Sequence, residues 1–232
     1  MPATQSETDP PMQRRPIGAR GWALVRWMTD RLVATGIGPN TVSVLGMLFG
    51  LIAGGCLAAT SLLDSGNPVE RALWVCGALG IVIRSLANVL DGMVAEQTGR
   101  ISRVGALYNE VPDRVSDAAM LIGLGYAGGS WVIGGWAATV VALSVAYVRA
   151  CCAVAGAPQD YRGPLAKPHR MYLVVFACIA LALMPTGWRA WSDSVAFGGV
   201  PALVLWIVIV GGLWTAWRRL YTAATELNRQ DT

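Results

Sequence analysis

Apolar stretches recur along the chain from Thr41 to Trp217, parted by short polar breaks. A helix needs roughly 20 mainly apolar residues to cross the hydrocarbon core, and a chain of this length holds about six such helices with short loops. The pattern puts them near residues 41–60, 72–90, 105–126, 131–154, 171–184 and 200–217. The breaks carry turn chemistry: Gly36-Ile-Gly-Pro-Asn40, the polar run Leu62 to Arg71, the loop Glu96 to Arg103, Gly128-Gly129-Ser130 and the Pro-, Gly- and base-rich Gly156 to Arg170. Pro39 suits the first turn of a helix, and Asn40 or Thr41 can cap it. Pro112 is expected to kink the third span and free a carbonyl.

Ahead of the first span, Trp22, Leu24, Val25, Trp27, Met28, Leu32 and Val33 alternate at helical spacing with Arg26, Asp30 and Arg31. This predicts an amphipathic helix lying in the membrane interface, or a cytoplasmic extension of the first span. Residues before it are polar and proline-broken, as in disordered segments. The expected organisation is a disordered basic N-terminus (1–18), a juxtamembrane amphipathic helix (19–36), a six-helix transmembrane unit (37–220) and a polar tail (221–232). The fold class is an all-α integral membrane protein.

Composition agrees: of 232 residues, 54% are hydrophobic and only 14% charged, against about 25% charged in soluble domains. The net charge is +4, and the bases are arginines except Lys167. Their distribution gives topology. With an even number of spans both termini share a side, which then holds Arg14, Arg15, Arg20, Arg26, Arg31, Arg100, Arg103, the Gly156 to Arg170 loop, Arg218, Arg219 and Arg229; the other side has Arg71 and Arg189. The positive-inside rule puts the base-rich side in the cytoplasm. Basic excess in such a chain reflects topology and anionic lipid, and no nucleic-acid motif is present. Cys56, Cys76, Cys151, Cys152 and Cys178 all lie in apolar runs without metal spacing and read as packing residues. A single histidine, His169, rules out a histidine-based metal site. Gly46, Gly50, Gly54 and Gly55 read as a small-residue helix-packing face.

The chemistry concentrates in Asn88 to Asp117, which places Asp91, Glu110, Asp113 and Asp117 at or just inside the edges of apolar runs. An acid at the centre of a lipid-facing helix costs about 3 kcal/mol, so intramembrane acids mark a polar cavity, a base partner or a bound cation. Asn88 and Asp91 share one helix face, and Asn109, Asp113 and Asp117 share another. Gly92 and Gly105 sit beside these faces. Oxygen-rich faces next to glycine suit a hard divalent cation with bound phosphate.

The row Asn88, Asp91, Gly92, Ala95, Glu96, Gly105, Asn109, Asp113 resembles the CDP-alcohol phosphotransferase signature D-x-x-D-G-x-x-A-R-x8-G-x-x-x-D-x-x-x-D. Every spacing matches and five of eight identities do. The first and third acids are Asn88 and Asn109, and the family arginine is Glu96, so this is a divergent branch. Pro39 to Ser43 is similar to a family segment bordering the nucleotide pocket, which makes Asn40 a candidate there. The resemblance implies transfer of a phosphoalcohol, usually phosphatidyl, group from a CDP-linked donor such as CDP-diacylglycerol to an alcohol acceptor, releasing CMP. It implies Mg²⁺ or Mn²⁺ held by Asn88, Asp91, Asn109 and Asp113, with Asp113 as general base. It implies room for nucleotide at Gly92, Ala95 and Gly105, and a homodimer in the membrane.

Glu110 and Asp117 could restore the missing negative charge. Arg149, Lys167 and Arg170 are candidates for a phosphate on the acceptor or lipid, and Arg100 or Arg103 for the cation lost at Glu96. For Arg149 a structural alternative is snorkelling to the interface. A transporter or ion-binding protein, or an inert member of the same fold, is the rival reading; neither predicts CMP release.

Overall fold

The computed structural model describes residues 21–100, 103–158, 160–161, 163–188 and 198–230. The N-terminal stretch expected to be disordered lies outside these, as do Arg162, Arg189 and Trp191. Seven α-helices of eight residues or more occupy them: α1 (Ala23–Ala34), α2 (Pro39–Ala59), α3 (Pro68–Gln97), α4 (Arg103–Tyr126), α5 (Val132–Val154), α6 (Lys167–Leu183) and α7 (Val200–Gln230). No strand occurs among the described residues.

Four helical stretches are long and apolar enough to cross a membrane: Pro39–Leu62, Pro68–Gln97, Val132–Val154 and Val200–Gln230. Two of the expected spans are not, for physical reasons. α4 carries Glu110, Asp113, Arg114 and Asp117, and α6 has 17 residues, short of the roughly 20 a span requires.

Helix ends move relative to the sequence reading. α3 begins inside the expected polar turn because Asn67 caps it, accepting from the Val69 amide at 2.9 Å, with Pro68 in its first turn. It also runs on through Gln97. α6 starts at Lys167, so Lys167 and Arg170 stand on its first turn rather than in a loop. Asn40 does not cap α2: Gly38 is the residue before that helix, Pro39 opens it, and no side chain caps it. The expected tail continues α7 to Gln230.

α2 is the central element. It packs along both α3 and α4, which touch each other little; α6 lies on α3, and α5 lies between α4 and α7. Glycines set this closeness. A Cβ at Gly46 would press on Ala87 of α3, one at Gly50 would overlap Ser116 of α4, and one at Gly54 would overlap the Ala119 backbone. Gly55 faces open space and takes no part. The core is built on Leu57, Trp74, Ile81, Met120, Leu121, Leu124, Val174, Leu181 and Leu205, all essentially buried. Outward positions are apolar too, as at Leu48, Ile52, Leu79, Val82, Ile133 and Val140.

α1 rests on the end of α3. Thr29 approaches the Met93 sulfur at 3.8 Å, and the Gln97 amide donates to Asp30 at 2.9 Å. Val25 and Thr29 are buried there, whereas Trp22, Leu24 and Trp27 are exposed.

Candidate active site

Three helices converge on Asp91. It sits near the end of α3 and is 3% exposed. Ser43 of α2 donates to its carboxylate at 2.6 Å, and the Asn109 amide of α4 donates to both oxygens at 3.3 Å. The glycine face of α2 lets the α3 and α4 side chains meet across it. Asn88 is half-buried one turn before Asp91, and Gly92 and Ala95 are half-buried just beyond it.

One turn along α4 from Asn109 lies Asp113, also buried and closely paired with Arg84 of α3 and Lys167 of α6. Arg114 adds a contact at 3.7 Å. Asp117, another turn on, is 2% exposed and lies 3.6 Å from Lys167, 3.6 Å from Arg170 and 3.8 Å from Arg114. Glu110 pairs with Arg149 of α5 at 2.7 Å and with Arg114 at 3.1 Å. The three acids of α4 are therefore paired with bases from three other helices, the condition under which charge is tolerated at membrane depth.

Several of these atoms have charge partners but no hydrogen bond. Both Asp117 oxygens, the Lys167 ammonium, and Nε of Arg114 and of Arg170 are buried without a hydrogen-bond partner among the described residues. Buried polar groups are normally satisfied; here close ion pairs stand in for hydrogen bonds.

The structure thus gathers Asp91 with Asn109, and Asp113 and Asp117 with Lys167 and Arg170. Arg149 is engaged by Glu110 and lies over the Tyr161 ring at 5.3 Å. Asn40 and Gly105 are half-buried in the first turns of α2 and α4. The side chain of Arg103 lies outside the described residues. Sequence reasoning missed Ser43 as a partner of Asp91, and Arg114 and Ser116 altogether. Ser43 had a signal, being the last residue of the Pro39 to Ser43 segment. Arg114 and Ser116 had only their place within the acid-bearing helix.

The family model for CDP-alcohol phosphatidyltransferase matches residues 37–217. The chain belongs to the CDP-alcohol phosphatidyltransferase family. A phosphatidylinositol phosphate synthase of Streptomyces avermitilis is 30% identical over 209 residues, covering 86% of this chain and 78% of that one. A crystal structure of Mycobacterium tuberculosis phosphatidylinositol phosphate synthase with CDP-DAG bound shares the fold at TM-score 0.66 and 22% identity, over 86% of this chain and 93% of that one. The same enzyme in complex with manganese and citrate aligns at TM-score 0.67 and 23% identity, over 87% and 89%. Membership decides between enzyme and transporter. The chain is a transferase of phospholipid synthesis, moving a phosphatidyl group from a CDP-linked donor to an alcohol with release of CMP.

Enzymes of this family use Mg²⁺ or Mn²⁺, and the donor set can be tested against that. The oxygens at the motif positions are two carboxylates, Asp91 and Asp113, and two amides, Asn88 and Asn109. Among the described residues no group of three or more His, Cys, Asp or Glu could hold an ion alone. Mg²⁺ ordinarily binds through one or two carboxylates completed by substrate phosphates and water. All-oxygen chemistry with two carboxylates fits such an ion bound together with the pyrophosphate of the donor.

Proposed function

We propose that the phosphatidyl group passes from CDP-diacylglycerol to a phosphorylated polyol of the inositol phosphate type. The observation that carries this is the gathering of Lys167, Arg114 and Arg170 around Asp113 and Asp117, with the Lys167 ammonium and Nε of both arginines outside any hydrogen bond among the described residues. They suit a phosphate held next to the reacting hydroxyl. The names of the curated relatives, phosphatidylinositol phosphate synthases, support the same acceptor.

In this reading Asn88, Asp91, Asn109 and Asp113 hold a divalent ion, which offsets charge on the pyrophosphate. Ser43 fixes the Asp91 rotamer. A half-turn of the Asn109 amide exchanges its nitrogen for its oxygen. Gly92, Ala95, Gly105 and Asn40 border the cytidine. Arg103 and Arg149 contribute positive charge around the donor and acceptor phosphates, and Asp117 orients Lys167 and Arg170. Asp113 accepts the acceptor hydroxyl proton. The freed oxygen bonds to the phosphorus bearing the diacylglycerol, the bridging P–O bond breaks, and CMP leaves.

The catalytic unit spans 37–220 with six membrane helices, α4 and α6 included. The outward face of α4 supports this: Val104, Leu107, Val111 and Val115 are exposed and apolar, while Asp113 and Asp117 turn inward. α1, within 19–36, lies in the cytoplasmic interface with Trp22 and Trp27 toward lipid. Residues 1–18 precede the folded unit and 221–232 follow it, both termini and the site facing the cytoplasm. The working unit is a homodimer.

The test follows CMP release by the purified chain with CDP-diacylglycerol and Mn²⁺ or Mg²⁺. Inositol phosphate is expected to support turnover, and free inositol, serine and glycerol phosphate far less. Chelation by EDTA is expected to abolish release. Equal rates with phosphorylated and unphosphorylated polyols would remove the acceptor assignment, and turnover in EDTA would remove the ion.

A further inference from the structure

Arg84 is a charged residue that the transfer steps leave unused. It lies within the apolar run of α3 and is 4% exposed. Its guanidinium crosses to α4, where one amino group pairs with Asp113 and Nε donates to the Ser116 hydroxyl at 2.5 Å. That hydroxyl in turn donates to the Pro112 carbonyl at 2.7 Å. The stem runs past the glycine face of α2: a Cβ at Gly50 would stand 3.5 Å from Arg84 Cδ and overlap Ser116. Three helices thus fix this arginine, which is no snorkelling arm.

Its partner carries the significance. Asp113 is one of only two carboxylates at the four oxygen positions of the motif, the other two being Asn88 and Asn109. Arg84 holds one of its oxygens and Lys167 the other; Arg84 is the permanent and deeper of the two cations, so a divalent ion meets both repulsion and an occupied ligand. We propose that Arg84 is a resident counter-ion of Asp113, competing with the divalent ion for that carboxylate and loosening metal binding in the substrate-free protein. It acts as a positioning residue, holding the Asp113 carboxylate until the donor pyrophosphate arrives with its own negative charge. This rests on the reading that Asp91 and Asp113 hold a divalent ion.

The test is a Mn²⁺ titration of the full chain in nanodiscs without nucleotide, with free Mn²⁺ read by electron paramagnetic resonance and folding checked by thermal melt. Arg84→Gln is expected to bind Mn²⁺ at least about tenfold more tightly than wild type, given the strength of like-charge repulsion at low dielectric. The gain should vanish when Arg84→Gln is compared with its parent in an Asp113→Asn background. Unchanged or weaker binding by folded Arg84→Gln, or a gain that survives Asp113→Asn, overturns the proposal. Should Arg84→Gln not fold, Ser116→Ala removes only the Nε anchor and is expected to tighten binding about threefold; no change overturns it equally. Wild type that binds Mn²⁺ with Arg84→Gln no tighter defeats this inference alone. No binding by either protein defeats it together with the metal reading.

Discussion

Two polar clusters are buried in this bundle, one toward each end of α3, and they are built on opposite principles. At the N-terminal end of α3, Glu70 is 1% exposed and receives the Trp74 indole N–H and the Gly66 amide at 3.2 Å. Arg71 beside it donates to the carbonyls of Ala182 at 2.8 Å and Met184 at 2.9 Å, at the end of α6. At the other end, Asp113, Asp117 and Arg170 are buried and Lys167 and Arg114 partly so, yet several of their atoms find no hydrogen bond among the described residues. Residue types alone do not separate a fastening from a site; what separates them is whether the polar atoms are satisfied.

That contrast can be broken from either side. Asp91→Asn should give the largest effect, a loss of CMP release of about a thousandfold or more, because it removes one of two carboxylates serving the ion and the transition state; the melting temperature should stay near wild type. Glu70→Ala should do the reverse. It strands the Trp74 N–H and the Gly66 amide and should cost about 3 kcal/mol of stability, measured by thermal unfolding in detergent, with kcat/KM of the folded fraction within about twofold of wild type. If Glu70→Ala instead cut turnover while leaving stability intact, the division between the clusters would fall.

Lys167→Ala sharpens the contrast within the site. It should raise KM for the phosphorylated acceptor about 10- to 30-fold, as loss of one charge-assisted phosphate contact does, with a much smaller change for CDP-diacylglycerol. Equal changes for both substrates would move Lys167 to the donor side. The smallest expected effect is that of Ser43→Ala, about fivefold in kcat/KM, since it removes one hydrogen bond to a carboxylate that stays in place.

Much of this was legible in the sequence because membranes penalise exceptions. Acids in apolar runs are costly, so Asp91, Asp113 and Asp117 could be picked out by position, and the helical spacing of Asn88/Asp91 and Asn109/Asp113 assigned their faces. The small-residue face Gly46, Gly50, Gly54 was readable for the same reason. What the sequence did not carry was which helix lies between which. α3 and α4 meet across α2, so Ser43, one residue in a turn-like segment, becomes a direct partner of Asp91. The reach of Arg84 to Asp113 could not be read from the sequence, because that contact depends on the room left by Gly46 and Gly50. Helix ends were misjudged where polar residues cap or open a helix, as at Asn67 and Lys167. The length of the Arg84 stem and the inward turn of the α4 acids are tertiary facts that periodicity alone does not encode.

The grip of Arg71 on the last carbonyls of α6 has a mechanical corollary. With that end tied to α3, any tilting of α6 pivots there, and displacement grows along a rod of about 25 Å. A tilt of about 5° carries the opposite tip by about 2 Å, roughly the difference between an ion pair and a gap. Lys167 stands at that tip, so the residue best placed to respond to an arriving phosphate is also the one with the longest lever arm.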